Sequence, residues 1–181
     1  MSTRHGLPTT GQKPPLFTTY LEMQSPEQLR PKRCPDARSQ VREQKEPNWV
    51  FNRDLYFAVG EQWQWTDKRP WTDDQWKEYA FGPELRTFAA YYDGELAGYY
   101  ELRSDAEGGV EIAYFGLLPE FIGRDLGGAL LTSAIEEAWS GRGGIAPTRV
   151  WVHTCTRDHP QALANYQARG MVVYRVEETV Q

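Results

Sequence analysis

Cysteine is scarce in this chain: among 181 residues only Cys34 and Cys155 carry thiols. Two are too few for a disulfide scaffold, so a reducing compartment, the cytoplasm, is the expected location. Long apolar runs are missing as well. No stretch approaches the roughly 18 residues that a membrane-spanning helix needs. Residues 1–15 are polar, carry Pro and Gly, and lack the apolar core of a secretory signal. No membrane partner is expected. Histidines number three. His153, Cys155 and His159 form the one grouping that looks like a metal set; they span a strand end and a loop with no fourth ligand nearby, so no metal is expected. Positive charge is in deficit, with 20 Lys and Arg against 25 Asp and Glu. That balance argues against a general nucleic-acid binder. No internal repeat or low-complexity tract is present.

What remains is a chain that is 40% hydrophobic and 25% charged, the balance of one globular domain. Residues 1–15 read as a flexible arm and residues 16–181 as the domain. Charge is uneven: residues 1–47 hold 8 basic and 5 acidic side chains, and residues 48–181 hold 12 and 20. Tryptophan is in excess. Five of the 7 (Trp49, Trp63, Trp65, Trp71 and Trp76) fall in one short stretch.

Patterning predicts a first strand over residues 16–23, where Phe17, Thr18, Thr19 and Tyr20 suit a pleated surface. Residues 31–47, rich in Lys, Arg, Glu, Gln and Pro, read as a mobile loop or a solvated helix. Helical spacing begins at Trp49, and a second helix over residues 71–81 has Thr72 as its N-cap ahead of Asp73 and Asp74. A meander follows over residues 86–118, turning at Asp93-Gly94 and again near Gly108-Gly109. Glu111 is expected to share a strand face with Ala113 and Phe115. In residues 123–140, Leu126, Leu130, Ala134 and Ala138 recur every four residues, the stripe of a helix packed on a sheet. A strand over 149–155, a short helix over 159–169 closed by Gly170, and a strand over 171–176 complete the order. The fold class is therefore α/β (α+β), a mixed sheet flanked by helices in a single domain.

The stretch from Ala113 to Leu131 holds the most chemistry. A strand ends at Pro119, and the loop Gly123-Arg124-Asp125-Leu126-Gly127-Gly128 runs into a helix. Free N–H groups and the dipole at that N-terminus suit a phosphate or pyrophosphate. Neither a dinucleotide fingerprint nor a P-loop is present.

Here the sequence resembles the GCN5-related N-acetyltransferases, the GNAT superfamily. Their acetyl-CoA loop, Arg/Gln-x-x-Gly-x-Gly/Ala, is overlaid by residues 122–127, and Leu117-Leu118-Pro119 by the strand end before it. A second family signature, Ala-x-x-x-Tyr-x-x-x-Gly-Phe, is matched by residues 162–171, with Met171 in place of Phe. Two positions depart from the first motif: Ile122 replaces Arg or Gln, and Asp125 replaces Gly. A carboxylate there repels phosphates if it faces them, and is harmless if it points to solvent or pairs with Arg124 or another cation.

The resemblance implies a mostly antiparallel GNAT-like sheet and direct acetyl transfer from acetyl-CoA to an amine. Phe115, Gly116, Leu117, Ile122, Gly123, Arg124, Asp125, Leu126, Gly127, Gly128 and Asn165 would bind the cofactor. The ammonium must lose a proton before it attacks. Glu111, on a strand resembling the one that holds the general base in histone-type members, is the first candidate base. His153 on the neighbouring strand is the second. Tyr166, at the Tyr of the second signature, is the candidate acid for the leaving thiolate. The tryptophan-rich stretch falls where the family builds its acceptor site, so Trp63, Trp65 and Trp71 are the expected substrate contacts. A small-molecule amine is the first acceptor class and a peptide or protein amine the second. A weakened, CoA-binding relative is the non-catalytic rival. The resemblance leaves room for a homodimer.

Overall fold

The computed structural model describes residues 15–141, 143 and 145–179. The arm expected over residues 1–15 lies outside the described residues except for Pro15. The first strand, β1 (Leu16–Met23), is followed by β2 (Ser39–Glu43) and then two helices, α1 (Trp49–Gly60) and α2 (Asp73–Ala80). The Asn48 side chain caps α1 by accepting from the Phe51 N–H at 3.1 Å. Thr72 caps α2, with Gln75 completing a reciprocal capping box. The meander is β3 (Leu85–Tyr92), β4 (Glu95–Ser104) and β5 (Val110–Leu117). Its first turn holds Asp93 and Gly94 at φ of 53° and 83°, the left-handed pair that a two-residue hairpin with the right twist requires. Then come α3 (Gly127–Trp139), β6 (Val150–Cys155), α4 (Ala162–Ala168) and β7 (Val172–Thr179).

The strands form one seven-stranded sheet in the order β2-β3-β4-β5-β6-β1-β7. Every neighbouring pair is antiparallel except β5 and β6. That parallel pair is joined by the crossover through α3, as a strand–helix–strand unit demands. Its register is short, with only Val110 opposite Val150 and Glu111 opposite Trp151. Beyond Glu111 the two strands part, and the sheet opens along its middle.

The main core lies on the α3 face. Leu130, Leu131, Ala134, Ile135 and Ala138 pack there against Leu21, Met23, Ile112, Val150 and Val152. On the other face Leu55 and Val59 of α1 bury Tyr99.

Two expectations need correction. Residues 39–43, read as part of a loop or solvated helix, are the edge strand β2, paired along β3 from Ser39–Tyr92 to Glu43–Phe88. Only Val41 of this strand packs on the core, so no apolar alternation marks it; backbone pairing and the Arg86–Glu43 ion pair hold it instead. The second correction concerns β5. Glu101 pairs with Tyr114 and Leu102 with Ile112, which leaves Ala113 as an extra, unpaired residue. This bulge reverses the alternation of side chains. Ile112 and Phe115 consequently both face α3, while Tyr114 turns to α1. Glu111 and Phe115 do not share a face.

Candidate active site

A cavity of about 890 Å³ occupies the opening between β5 and β6. At one end it meets the N-terminus of α3. Leu126 precedes that helix and supplies no side-chain cap, so the first N–H groups remain for a ligand. Ile122, Gly123, Asp125, Leu126, Gly127, Gly128 and Asn165 line this end. Arg124 does not line it; its guanidinium lies 4.9 Å over the Phe121 ring.

The Asp125 carboxylate is paired with the Lys32 ammonium, and its backbone holds the left-handed conformation at φ 61°. Lys32 arrives on residues 24–38, which cross the α3–α4 face on their way from β1 to β2. That crossing is fastened by the Arg30 N–H donating to the Arg169 carbonyl at 2.9 Å and the Lys32 N–H to Thr132 Oγ1 at 2.9 Å. Arg33 adds an ion pair to Glu136 at 2.5 Å. A side chain at Gly128 would meet Arg169 Nη1 at 2.5 Å and Lys32 Cδ at 2.6 Å. Two cations therefore close over the start of α3. The Arg169 Nε is buried without a hydrogen-bond partner among the described residues, and its guanidinium lies beside the uncapped start of α3. Sequence reasoning missed both residues. Arg169 stands directly before Gly170 of the second signature and could have been weighed; Lys32 lies in a stretch with no motif.

The middle of the cavity is the splayed half of β5, where Phe115, Gly116 and Leu117 form the wall. The Leu118 N–H donates to the Ala97 carbonyl at 2.8 Å, toward β4. Because N–H groups alternate sides along a strand, those of Leu117 and Phe115 point into the gap.

At the far end the wall carries Trp63, Trp65, Thr66, Asp67, Tyr114, His153, Asp158 and His159. The Trp65 indole N–H reaches Asp158 Oδ1 at 3.3 Å, and Trp63 stacks edge-on with His159 at 4.8 Å. Trp71 is not part of this wall; it packs against Trp76 at 5.2 Å, behind the cavity. Trp76 is buried core.

His153 is exposed and lines the cavity. Its Nδ1 lies 3.2 Å from Glu111 Oε1. Glu111 is 2% exposed and stands behind His153, with its other oxygen 2.5 Å from Arg103 Nη2. Burial opposes ionisation of that carboxyl, but the His153 hydrogen bond and the Arg103 charge outweigh it, and its pKa is lowered. Tyr166 lines the cavity between its two ends and packs at 6.2 Å from Phe115. Burial, helped by Asp158, pushes its phenol up, so it stays protonated. Among the described residues no three His, Cys, Asp or Glu side chains converge as a metal set, and no helix is long and apolar enough to cross a membrane.

The model of the acetyltransferase (GNAT) family matches residues 45–171. No curated protein matches the sequence. Among solved structures, a GCN5-related N-acetyltransferase from Kribbella flavida is similar over 88% of this chain and 55% of its own, at 17% identity and a TM-score of 0.62. One from Sphaerobacter thermophilus is similar over 94% of this chain and 53% of its own, at 20% identity and a TM-score of 0.62. An aminoglycoside acetyltransferase from an uncultured soil metagenomic sample is similar over 74% of this chain and 88% of its own, at 12% identity and a TM-score of 0.58. At these identities the likeness is one of fold. The chain spans little more than half the length of the first two.

Proposed function

The chain belongs to the acetyltransferase (GNAT) family, and we propose that it transfers the acetyl group of acetyl-CoA to a primary amine of a small molecule. One observation carries this reading: a single cavity joins the uncapped start of α3, flanked by Lys32 and Arg169, to the exposed imidazole of His153. The CoA phosphates sit on the α3 N–H groups, with the two cations beside them. The pantetheine arm runs along β5, and an N–H of Phe115 or Leu117 accepts the charge that develops on the thioester oxygen.

At the other end the acceptor arrives as an ammonium and must be deprotonated. Glu111 holds the Nδ1–H of His153, so Nε2 keeps a lone pair and takes the proton. The free amine attacks the thioester carbon and a tetrahedral oxyanion forms. The C–S bond then breaks with its electron pair on sulfur, Tyr166 supplies the proton to the thiolate, and the second proton, shed by the acylated nitrogen, restores the phenol and leaves a neutral amide. In this assignment His153 is the base and Glu111 its positioning residue. Trp63 and Trp65 suit an acceptor with an apolar or aromatic part, and Asp67 and Asp158 favour its ammonium. Both cysteines are free thiols, which supports the reducing cytoplasm as the site of action.

Product analysis by mass spectrometry tests the reading with acetyl-CoA and a panel of amines. The expected result is an acetylated amine whose rate of formation falls about 100-fold or more in His153→Asn, with acetyl-CoA affinity retained. Acetyl-CoA binding without any acetylated amine would favour a non-catalytic CoA-binding protein. Undiminished turnover in Tyr166→Phe would remove Tyr166 from the mechanism.

A further inference from the structure

Residues 61–72 connect α1 to α2 without regular secondary structure, and they deliver Trp63, Trp65, Thr66 and Asp67 to the cavity wall. Apolar side chains normally anchor such a connection. Here its tryptophans are half-buried, and the one residue fully buried is Lys68, 5% exposed. A lysine so enclosed must be paid in interactions. Its ammonium lies 4.0 Å from the ring centroids of Trp71 and of Tyr79 and 4.9 Å from that of Tyr114. Asp67 Oδ2 is 4.0 Å away. Glu101 and Arg103 of β4 and Glu111 of β5 act on it from the sheet.

The cage is tied to the wall through shared residues. The Tyr56 hydroxyl of α1 accepts the Lys68 N–H at 3.1 Å and donates to Asp67 Oδ1 at 2.8 Å. The Tyr114 hydroxyl donates to the other Asp67 oxygen. Tyr114 thus cages the ammonium and lines the cavity at once. Lys68 itself does not line the cavity.

We propose that Lys68 is a positioning residue for the acceptor: its caged ammonium clamps the α1–α2 connection onto β5, so that affinity for the amine depends on it and affinity for acetyl-CoA does not. The claim rests on the acetyl-transfer reading for its kinetics but not for its mechanics. Methionine at this position fills similar space without the charge, and arginine keeps the charge in a larger, planar group.

Initial-rate kinetics and amide hydrogen exchange on Lys68→Met and Lys68→Arg test it. Lys68→Met should raise KM for the amine about tenfold, leave KM and Kd for acetyl-CoA within about twofold, and speed exchange across residues 61–72 but not at Gly127–Gly128. Lys68→Arg should recover part of both losses. An equal rise in both KM values, or unchanged exchange in residues 61–72 of Lys68→Met, would overturn the proposal. If Lys68→Met does not fold, Trp71→Leu, which removes one wall of the cage, is read by the same criteria. A wild-type protein inert toward every amine would sink the acetyl-transfer reading, while the exchange comparison, which needs no substrate, would still decide the clamp.

Discussion

Asp125 shows how one side chain changes meaning between sequence and structure. In the motif it replaces a glycine and looks like a charge set against the phosphates. In the fold it is bound to Lys32, 93 positions away in the chain. The exposed pair contributes little to stability; its effect is to cancel a charge and to hold a cation beside the start of α3. Two consequences for binding follow. Asp125→Gly releases Lys32 toward the phosphates and relieves a non-glycine residue at positive φ, so acetyl-CoA should bind tighter, by less than about tenfold. Lys32→Met should weaken binding by about tenfold. Calorimetric titration reads both, and an unchanged affinity in Lys32→Met would show that its ammonium does not reach the phosphates. The position of Asp125 in the loop was legible from the motif. Its partner was not, because a pairing between two flexible, exposed side chains so far apart leaves no local pattern. The same holds for Glu111 and His153: that a buried Glu111 stands behind an exposed His153 depends on contact between separate strands, which leaves no local pattern, and the one-residue bulge at Ala113 has no periodic signal either.

At the scale of elements, legibility followed the hydrophobic pattern. α3 buries a wide stripe under the sheet and was plain in the sequence. β2 buries little beyond Val41, so nothing distinguished it from a loop. The opening between β5 and β6 depends on a different kind of information. It exists because β5 stays bound to β4 along its whole length while its pairing to β6 stops at Glu111. Close approach of β4 and β5 is essential to that arrangement. A Cβ at Gly98 would meet the Gly116 carbonyl oxygen at 2.4 Å and the Leu117 Cα at 2.9 Å, both backbone atoms that cannot swing aside. Gly98→Ala should therefore destabilise the protein by about 1–3 kcal/mol in chemical denaturation. It should also weaken acetyl-CoA binding, since the displaced strand carries the amides that face the gap. Wild-type stability together with wild-type affinity would mean that β5 is not held as described.

For the molecule as a whole, the uneven charge of the sequence acquires a place. The basic stretch before Trp49 supplies the crossing segment, and Arg30, Lys32, Arg33 and Arg38 lie along it. Lys32, Arg33 and Arg38 are each paired with an acidic side chain: Asp125, Glu136 and Asp36. Of these only Lys32 reaches the cavity, where Arg157 and Arg169 also lie. Four of the five clustered tryptophans divide in two. Trp63 and Trp65 face the cavity, while Trp71 and Trp76 build the cage and core behind it. In the proposed reaction acetyl-CoA enters the sheet where β5 and β6 part. A crystal structure with CoA bound tests it most directly. The prediction is phosphates over Gly127 and Gly128 with Lys32 turned from Asp125 toward them, the pantetheine arm along Phe115–Leu117, and the thiol between Tyr166 and His153. CoA bound elsewhere, with the opening between β5 and β6 empty or closed, would contradict it.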